Sequence, residues 1–380
     1  MNSLEIFSGA GGLAKGIELA GAHHQALVEW NADACKTLRK NYPPEIVFET
    51  DIRNFQFSQF SNIDIIAGGP PCQPFSLGGK AKGNEDERDM FPYAISAIRQ
   101  LMPKTFIFEN VKGLLRQSFA QYFKYIILQL TYPQVCLKNK DWKQNLSDLE
   151  RIHAEDLYQD LKYNVTFRLL NAADYGVPQK RERVVIVGIR NDLNISWNFP
   201  ERTHSEDSLL WDKYVTGTYW EKHNISPSSL DLTQLSQQRE RLQFQYGMFP
   251  PTKNPWITVR DVLDGLPNPY EQEQGNMYDE HILRKGAKEY AGHTGSEIDQ
   301  PSKTIKAGGH GVPGGENMIK YPDGTVRYYT VLEAKRIQTF PDNYPISGSW
   351  TEAMRQLGNA VPVRLANVIA SSLFNTVFAN

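Results

Sequence analysis

Four consecutive residues, Pro70-Pro71-Cys72-Gln73, constrain this chain more than any other feature. They follow an apolar run at residues 63–69, which predicts a buried strand that breaks into a rigid, proline-containing loop. The Cys72 thiol would then lie at the carboxyl end of a strand, the edge where open α/β sheets bind their ligands. A lone free cysteine is usually a small buried apolar residue, so neighbouring motifs must decide its role.

Two further apolar runs place ionisable groups at strand ends. Residues 105–108 lead into Glu109, and residues 184–189 are preceded by Gln179-Lys180-Arg181-Glu182-Arg183. Because strand ends at one edge of a sheet face a common cleft, we expect thiol, carboxyl and guanidinium groups to share one pocket.

The first 200 residues alternate apolar runs with amphipathic stretches, which predicts an α/β fold. We expect a mainly parallel, Rossmann-like sheet with helices on both faces, plus a smaller irregular domain. The predicted strands are residues 4–7, 25–29, 46–48, 63–67, 105–108, 163–169 and 184–189. The predicted helices are residues 13–20, 32–40, 89–101 and 113–130.

The composition and hydrophobic periodicity of the sequence change twice along the chain. Residues 1–200 form the predicted catalytic and cofactor-binding domain, with a polar, helical surface insertion at about 131–162. Residues 201–327 are aromatic, Pro-rich and Gln-rich without clear periodicity, and we expect a second domain there. Residues 328–380 again contain helix-like stretches, at 331–338 and 363–374.

The amino-acid composition limits which kinds of protein this can be, but it does not decide the function. The 380 residues carry a formal net charge of −2, which by itself neither requires nor excludes nucleic acid. Three scattered cysteines favour a reducing compartment and argue against disulfides or a zinc site, so no metal is expected. We find no stretch long and apolar enough to span a bilayer and no signal sequence. We therefore expect a soluble, cytoplasmic monomer.

The turn after the first predicted strand fits a nucleotide-binding fingerprint. Gly9, Gly11 and Ala14 match G-x-G-x-x-G/A, and Glu29 follows about 20 residues later, as the fingerprint requires. This pattern alone is compatible with an NAD-dependent dehydrogenase. It leaves the choice between NAD and another adenosine-containing cofactor open.

Five blocks together resemble the DNA (cytosine-5) methyltransferases of prokaryotic restriction–modification systems. They occur in the order found in that family and leave residues 201–327 without a counterpart. The resemblance implies that residues 328–380 return to the first, catalytic domain and that the protein is nucleoid-associated. The blocks are LEIFSGAGG at residues 4–12, GPPCQPFS at 69–76, FENV at 108–111, QKRER at 179–183 and QLGNAVP at 356–362.

The resemblance implies S-adenosylmethionine as the methyl donor, with S-adenosylhomocysteine as its product. The first turn would cradle the methionine part, and Glu29 would accept from the ribose hydroxyls. Trp30 and Ile52 would sandwich the adenine, which favours this donor over NAD. Asp51 would accept from the exocyclic amine, and Asn359 would close the cleft. The implied cofactor residues are Phe7, Gly9, Gly11, Gly12, Glu29, Trp30, Asp51, Ile52, Pro70 and Asn359.

The chemistry of carbon-5 methylation assigns roles to the pocket. Carbon 5 of cytosine is a poor nucleophile until a thiolate adds to carbon 6, and Cys72 is the best-placed nucleophile. Glu109 is expected to neutralise the charge that collects near N3. Arg181 is expected to donate to O2, while Arg183 would hold the loops of Glu109 or Cys72 in register.

A ring attacked on its faces cannot stay stacked in a duplex, so the target base must be flipped out. Residues 201–327 are available to grip duplex DNA, and a glycine-rich loop near residue 308 would approach phosphates or base edges. The residues expected to contact DNA are Gln73, Ser76, Lys303, Lys306, Gly308 and Gly309.

Two alternatives remain beside DNA methylation and the dehydrogenase. Family members that modify tRNA carry a Cys-Phe-Thr motif, whereas no cysteine follows Cys136 here. A non-catalytic binding protein would require loss of Cys72, Glu109 or Arg181, and all three are present. We therefore favour a compact prokaryotic DNA methyltransferase, with a separately acting restriction endonuclease as its possible partner.

Overall fold

The computed structural model describes residues 1–71, 89–137, 141–156, 158, 160–270, 280–290, 292–307 and 317–379. The chain divides into two compact units. Unit 1 comprises Met1–Leu170, Glu182–Phe199 and Ala366–Asn380, and unit 2 comprises Asn171–Arg181 and Pro200–Leu365. The functional division at residues 200 and 327 stays a prediction.

A seven-stranded sheet organises unit 1, in the order β3-β2-β1-β4-β5-β7-β6. The pairs β1–β2, β2–β3, β1–β4 and β4–β5 are parallel, and β7 runs antiparallel to β5. The predicted α/β class with a mainly parallel sheet is confirmed. Its strands are β1 (Asn2–Ile6), β2 (His23–Glu29), β3 (Val47–Glu49), β4 (Ile65–Gly68), β5 (Thr105–Val111), β6 (Tyr163–Asn171) and β7 (Glu182–Arg190).

The register of the strands brings the predicted motifs to one edge of this sheet. Ile6 pairs with both Val28 and Gly68, and Gly68 pairs with Phe108, so β1, β2, β4 and β5 end side by side. The strand order reverses between β1 and β4, which is the switch point where such sheets bind ligands. Because β7 is antiparallel to β5, its first residues lie at this same edge.

Close packing of β1 and β4 explains the first glycine of the Gly-Gly-Pro-Pro run. A Cβ built on Gly68 would lie 2.4 Å from the carbonyl oxygen of Ile6, so no larger residue fits there. The strand can therefore approach β1 closely just before the chain enters the Pro70-Pro71 turn.

Five helices accompany the sheet in unit 1. The bounds are α1 (Gly12–Leu19), α2 (Ala32–Asn41), α3 (Phe91–Leu101), α4 (Ala120–Thr131) and α5 (Trp142–Ala154). The helix predicted from residue 113 begins later, because two 3₁₀ turns, Lys112–Leu115 and Gln117–Phe119, precede α4. The predicted insertion does contain a helix, α5. Its Leu146 and Leu149 are buried in the main core, so one face of α5 packs into the protein.

The described part of unit 2 contains short strands and six helices, and the longest of these helices was not indicated by the sequence. The sequence of α8 is rich in glutamine and serine, so it lacks the apolar stripe that reveals an amphipathic helix. The helices are α6 (Glu206–Trp211), α7 (Thr218–His223), α8 (Ser229–Tyr246), α9 (Val259–Leu263), α10 (Val331–Ile337) and α11 (Trp350–Asn359). The strands are β8 (His204–Ser205), β9 (Asn254–Pro255), β10 (Ser296–Glu297), β11 (Met318–Lys320) and β12 (Val326–Tyr328).

The final helix, α12 (Val363–Val377), begins in unit 2 and ends in unit 1. Contrary to our sequence expectation, Trp350–Val377 has the length and mean hydropathy, 1.2, of a membrane-spanning segment. Residues 360–362 interrupt it, however, so α11 and α12 are separate helices. Of the apolar window, 56% is buried inside the protein, as in core helices that satisfy the same criterion.

Candidate active site

The turn after β1 adopts an unusual backbone conformation. Phe7, Gly9 and Gly11 all have positive φ angles, 57°, 54° and 83°. Glycine tolerates this region, whereas Phe7 is strained by about 1–2 kcal/mol. Strain of this kind persists where surrounding contacts fix the chain, and here Ser8 N donates to Val28 O at 3.1 Å. A Cβ on Gly9 would meet nothing within 4 Å, so the turn borders open space.

Glu29 ties this turn to the end of β2. Its carboxylate accepts from Gly9 N at 2.8 Å, Trp30 N at 2.9 Å and Asn31 N at 2.7 Å. A carboxylate has about four lone-pair sites, so a further donor such as a ribose hydroxyl can still bind. The predicted ribose ligand is therefore also a structural anchor of the turn.

The residues predicted to hold an adenine differ in their exposure. The Trp30 side chain is 73% exposed, which leaves its ring face free to stack on a ligand, whereas Ile52 is buried in the core of unit 1. Asp51 caps a short 3₁₀ turn and accepts from Arg53 Nε and Nη2 at 2.9 and 2.6 Å. These hydrogen bonds hold the pKa of Asp51 below its usual range.

Together these features fit an adenosine-containing methyl donor. The turn offers an open concave backbone, Glu29 a fixed carboxylate, and Trp30 an exposed aromatic face. The roles of the individual residues stay predictions.

Sequence reasoning missed Glu5, a buried acid beneath the same turn. Glu5 is 1% exposed, and its Oε2 has no hydrogen-bond partner among the described residues. Burial raises its pKa well above the ordinary value, a bond to the Ala14 backbone opposes this, and Glu29 adds to the rise. The only available signal was an acidic residue inside an apolar strand.

Glu109 and Arg183 meet at the same edge of the sheet. Glu109 is 9% exposed, and its Oε1 lies 2.5 Å from Arg183 Nε. Among the described residues no donor points at this oxygen with hydrogen-bond geometry, so the contact is an ion pair and not a directed hydrogen bond. A Cβ on Gly69 would lie 3.4 Å from Glu109 Oε2, which places the turn after β4 directly beside the carboxylate.

Asn110 connects the end of β5 to the turn that precedes Cys72. Asn110 Nδ2 donates to Pro70 O at 2.9 Å, as expected of an anchor for this loop. Across the turn, Met90 N donates to Pro71 O at 3.3 Å. Cys72, Gln73 and Ser76 lie outside the described residues.

Arg181 occupies a different environment from Arg183. It belongs to unit 2, is 1% exposed, and donates to the carbonyl oxygens of Ile305, Gly358 and Ala360 at 3.2, 2.7 and 3.0 Å. This geometry favours an anchoring role for Arg181. Its predicted contact with cytosine O2 stays a prediction.

The predicted DNA-contacting loop and the carboxyl-terminal block adjoin Arg181 in unit 2. A Cβ on Gly358 would lie 2.5 Å from Ala307 N, so only glycine fits there. Lys306 is exposed and its backbone pairs with the Asn317 side chain, while Lys303 Nζ donates to Thr294 Oγ1 at 2.8 Å. Asn359 is the exposed last residue of α11. Gly308 and Gly309 lie outside the described residues.

Comparison with known proteins decides the family. The C-5 cytosine-specific DNA methylase family matches residues 1–132 and 144–375. The chain belongs to this family. It is similar to the Type II methyltransferase M.NgoMIV of Neisseria gonorrhoeae, with 31% identity over 99% of this chain and 97% of the relative. The Type II methyltransferase M.Eco47II of Escherichia coli is 32% identical over 97% of this chain and 78% of the relative.

The fold is also similar to that of a solved relative. The crystal structure of S. pombe Dnmt2 methyltransferase matches with a TM-score of 0.59 and 16% identity, covering 99% of this chain and 98% of that one. This likeness supports the fold alone.

The family assignment makes the protein a DNA (cytosine-5-)-methyltransferase and excludes the dehydrogenase interpretation. The family implies S-adenosylmethionine as the methyl donor and DNA as the substrate. The G-x-G-x-x-A fingerprint is thus compatible with either NAD or S-adenosylmethionine. The other sequence blocks decide between the two cofactors.

Proposed function

We propose that this protein methylates carbon 5 of a flipped-out cytosine in a specific duplex DNA sequence through a covalent Cys72 adduct. The observation that carries the proposal is the cluster at the sheet edge. There the Glu109 carboxyl lies beside the turn leading to Cys72 and pairs with Arg183.

The proposed reaction begins with addition of the Cys72 thiolate to carbon 6, which breaks the ring's aromaticity and makes carbon 5 nucleophilic. Glu109 supplies a proton at N3 and so neutralises the charge pushed into the ring. S-adenosylmethionine, when bound by the Phe7–Gly11 turn, Glu29 and Trp30, supplies the methyl group. Loss of the carbon-5 proton to water, with return of the N3 proton to the Glu109 carboxylate, then expels the thiolate and restores the double bond.

The contact with Arg183 orients the Glu109 carboxyl for this step, and it stabilises the carboxylate that remains once the proton has passed to N3. A guanidinium in contact with one carboxyl oxygen restricts its rotation, so the carboxyl is presented in a fixed direction. We therefore assign Arg183 as the guanidinium that acts on Glu109.

Unit 2 supplies the DNA-gripping surface in this proposal, through residues 201–327. Flipping one base costs a few kcal/mol, which contacts to the surrounding duplex must offset. The basic side chains of Lys303 and Lys306, both exposed, suit this purpose. The names of the Type II relatives support a restriction–modification role with a separate endonuclease.

Bisulfite sequencing of both DNA and tRNA from cells that express the protein tests this function directly. Cytosines within one recurring sequence should become protected from conversion, and cells lacking the protein should show none of this protection. Protection confined to tRNA cytosines would instead identify an RNA methyltransferase, and no protection at all would refute the proposal.

Replacing Trp30 with alanine should weaken S-adenosylmethionine binding with little effect on the empty protein. Loss of an exposed stacking face should lower affinity about tenfold, since aromatic contacts contribute about 0.5–1.5 kcal/mol beyond their buried area. Calorimetry should show this loss, and wild-type protein should be stabilised thermally by the donor but not by NAD.

Leu19→Ala is the matched control, because Leu19 is also an exposed apolar side chain of unit 1. It should bind the donor normally. Equal affinity in Trp30→Ala and wild type would remove Trp30 from the cofactor site.

A further inference from the structure

A network outside the sheet edge fixes the two ends of the segment that contains Cys72. The chain enters this segment after Pro71 and leaves it at Asp89, and Met90 N donates to Pro71 O at 3.3 Å. We call Pro71, Asp89 and Met90 the neck. Cys72 directly follows Pro71 in the sequence, so the neck is covalently continuous with the nucleophile.

Asp89 connects the neck to α4. Its Oδ1 accepts from Phe91 N at 3.2 Å at the start of α3, and its Oδ2 accepts from the Tyr122 hydroxyl of α4. Asp89 and Tyr122 are both buried, so this charge-assisted bond is shielded from water. One carboxylate therefore links the start of α3 to the first turn of α4.

Helix α5, which lies in the insertion, packs against Tyr122 through its first residue, Trp142. The Trp142 ring meets the Tyr122 ring edge-on at 5.2 Å and the Tyr125 ring at 5.8 Å. Trp142 lies within residues 133–143, the stretch to which the family has no match. The support is therefore a feature of this chain and not of the shared family architecture.

We propose that Asp89, Tyr122 and Trp142 form a positioning device that sets the placement of the Cys72 nucleophile for attack. This inference rests on the proposed function of Cys72. The contacts described above join these residues to the neck, α3, α4 and α5 and do not involve the cofactor turn or Glu109, so we expect the three residues to govern the rate of the chemical step and not the binding of the donor. A displacement of 1 Å between reacting groups can cost about 10²-fold in rate.

The test compares the hydroxyl groups of two tyrosines, one within α4 and one directly after it. Tyr122→Phe removes the bond to Asp89, whereas Tyr132→Phe removes a bond of 2.8 Å to His153 of α5, away from the neck. We expect Tyr122→Phe to lower kcat about tenfold, a partial misplacement of the nucleophile. KM and the Kd for S-adenosylmethionine should stay at wild-type values, and Tyr132→Phe should match wild type in all three.

A second pair of variants tests the insertion helix. Trp142→Leu removes the edge-on ring contact and should lower kcat, whereas Trp142→Phe retains a ring and should restore most of it. The two Trp142 variants therefore test the positioning role even if Tyr122→Phe fails to fold.

The outcomes separate this inference from the proposed function. Wild-type protein that fails to methylate DNA would overturn the proposed function and this inference with it. Active wild type with an unchanged kcat in Tyr122→Phe and Trp142→Leu would overturn the positioning device alone. Equal losses in Tyr122→Phe and Tyr132→Phe would also overturn it, because the effect would then reflect general packing of α4 on α5.

Discussion

Wild-type protein mixed with S-adenosylmethionine and a duplex carrying 5-fluorocytosine at its target should form a complex that survives denaturing electrophoresis. After methyl transfer the carbon-5 proton must leave before the thiolate can be expelled. Fluorine at that position has no feasible leaving cation, so the covalent bond between Cys72 and carbon 6 should persist. We expect the shifted band to accumulate to the full amount of active enzyme.

Cys72→Ala should abolish this band completely, because neither remaining cysteine resembles a nucleophile. Burial raises the pKa of Cys35 to about 12, which leaves almost no thiolate at neutral pH. Cys136 is exposed, and Cys136→Ala serves as the control that should trap normally. A trapped complex in Cys72→Ala, or turnover of the fluorinated duplex, would show that the nucleophile has been assigned wrongly.

The sheet was predictable because local sequence determines most of it. Each predicted strand is a short apolar run bounded by turn residues, and buried parallel strands require such runs. The edge at which Glu29, Gly69 and Glu109 converge followed from the same reasoning, since parallel strands end together. The order of the sequence motifs then identified the reaction, which hydrophobic periodicity alone could not do.

The rest depended on contacts between residues distant in sequence. Arg181 and Arg183 lie two positions apart and look equivalent in the motif, yet Arg181 binds carbonyls at residues 305, 358 and 360. Its partners are more than a hundred positions away, and no local pattern indicates them. The support of Tyr122 by Trp142 was hidden for the same reason.

Substitutions of the two arginines should therefore have different effects. Loss of Arg181 should lower the stability of the protein, whereas a change at Arg183 should lower its activity. Arg181→Ala leaves three buried carbonyl oxygens without their donor, and each unsatisfied buried group costs about 1–3 kcal/mol. We expect the free energy of unfolding to fall by about 3–5 kcal/mol, measured by urea denaturation. Arg183→Lys keeps the charge beside Glu109 but loses the planar guanidinium.

We expect Arg183→Lys to change the free energy of unfolding by less than about 1 kcal/mol, because a cation still faces the carboxylate. Its kcat should nevertheless fall about 10²-fold, since the ammonium cannot fix the direction of the Glu109 carboxyl. Arg181→Lys supplies the matched control at the other position. If a stably folded Arg181→Lys lost activity while Arg183→Lys retained it, the guanidinium that contacts the cytosine would be Arg181, and the roles inferred from the ion pair at Glu109 would have to be exchanged.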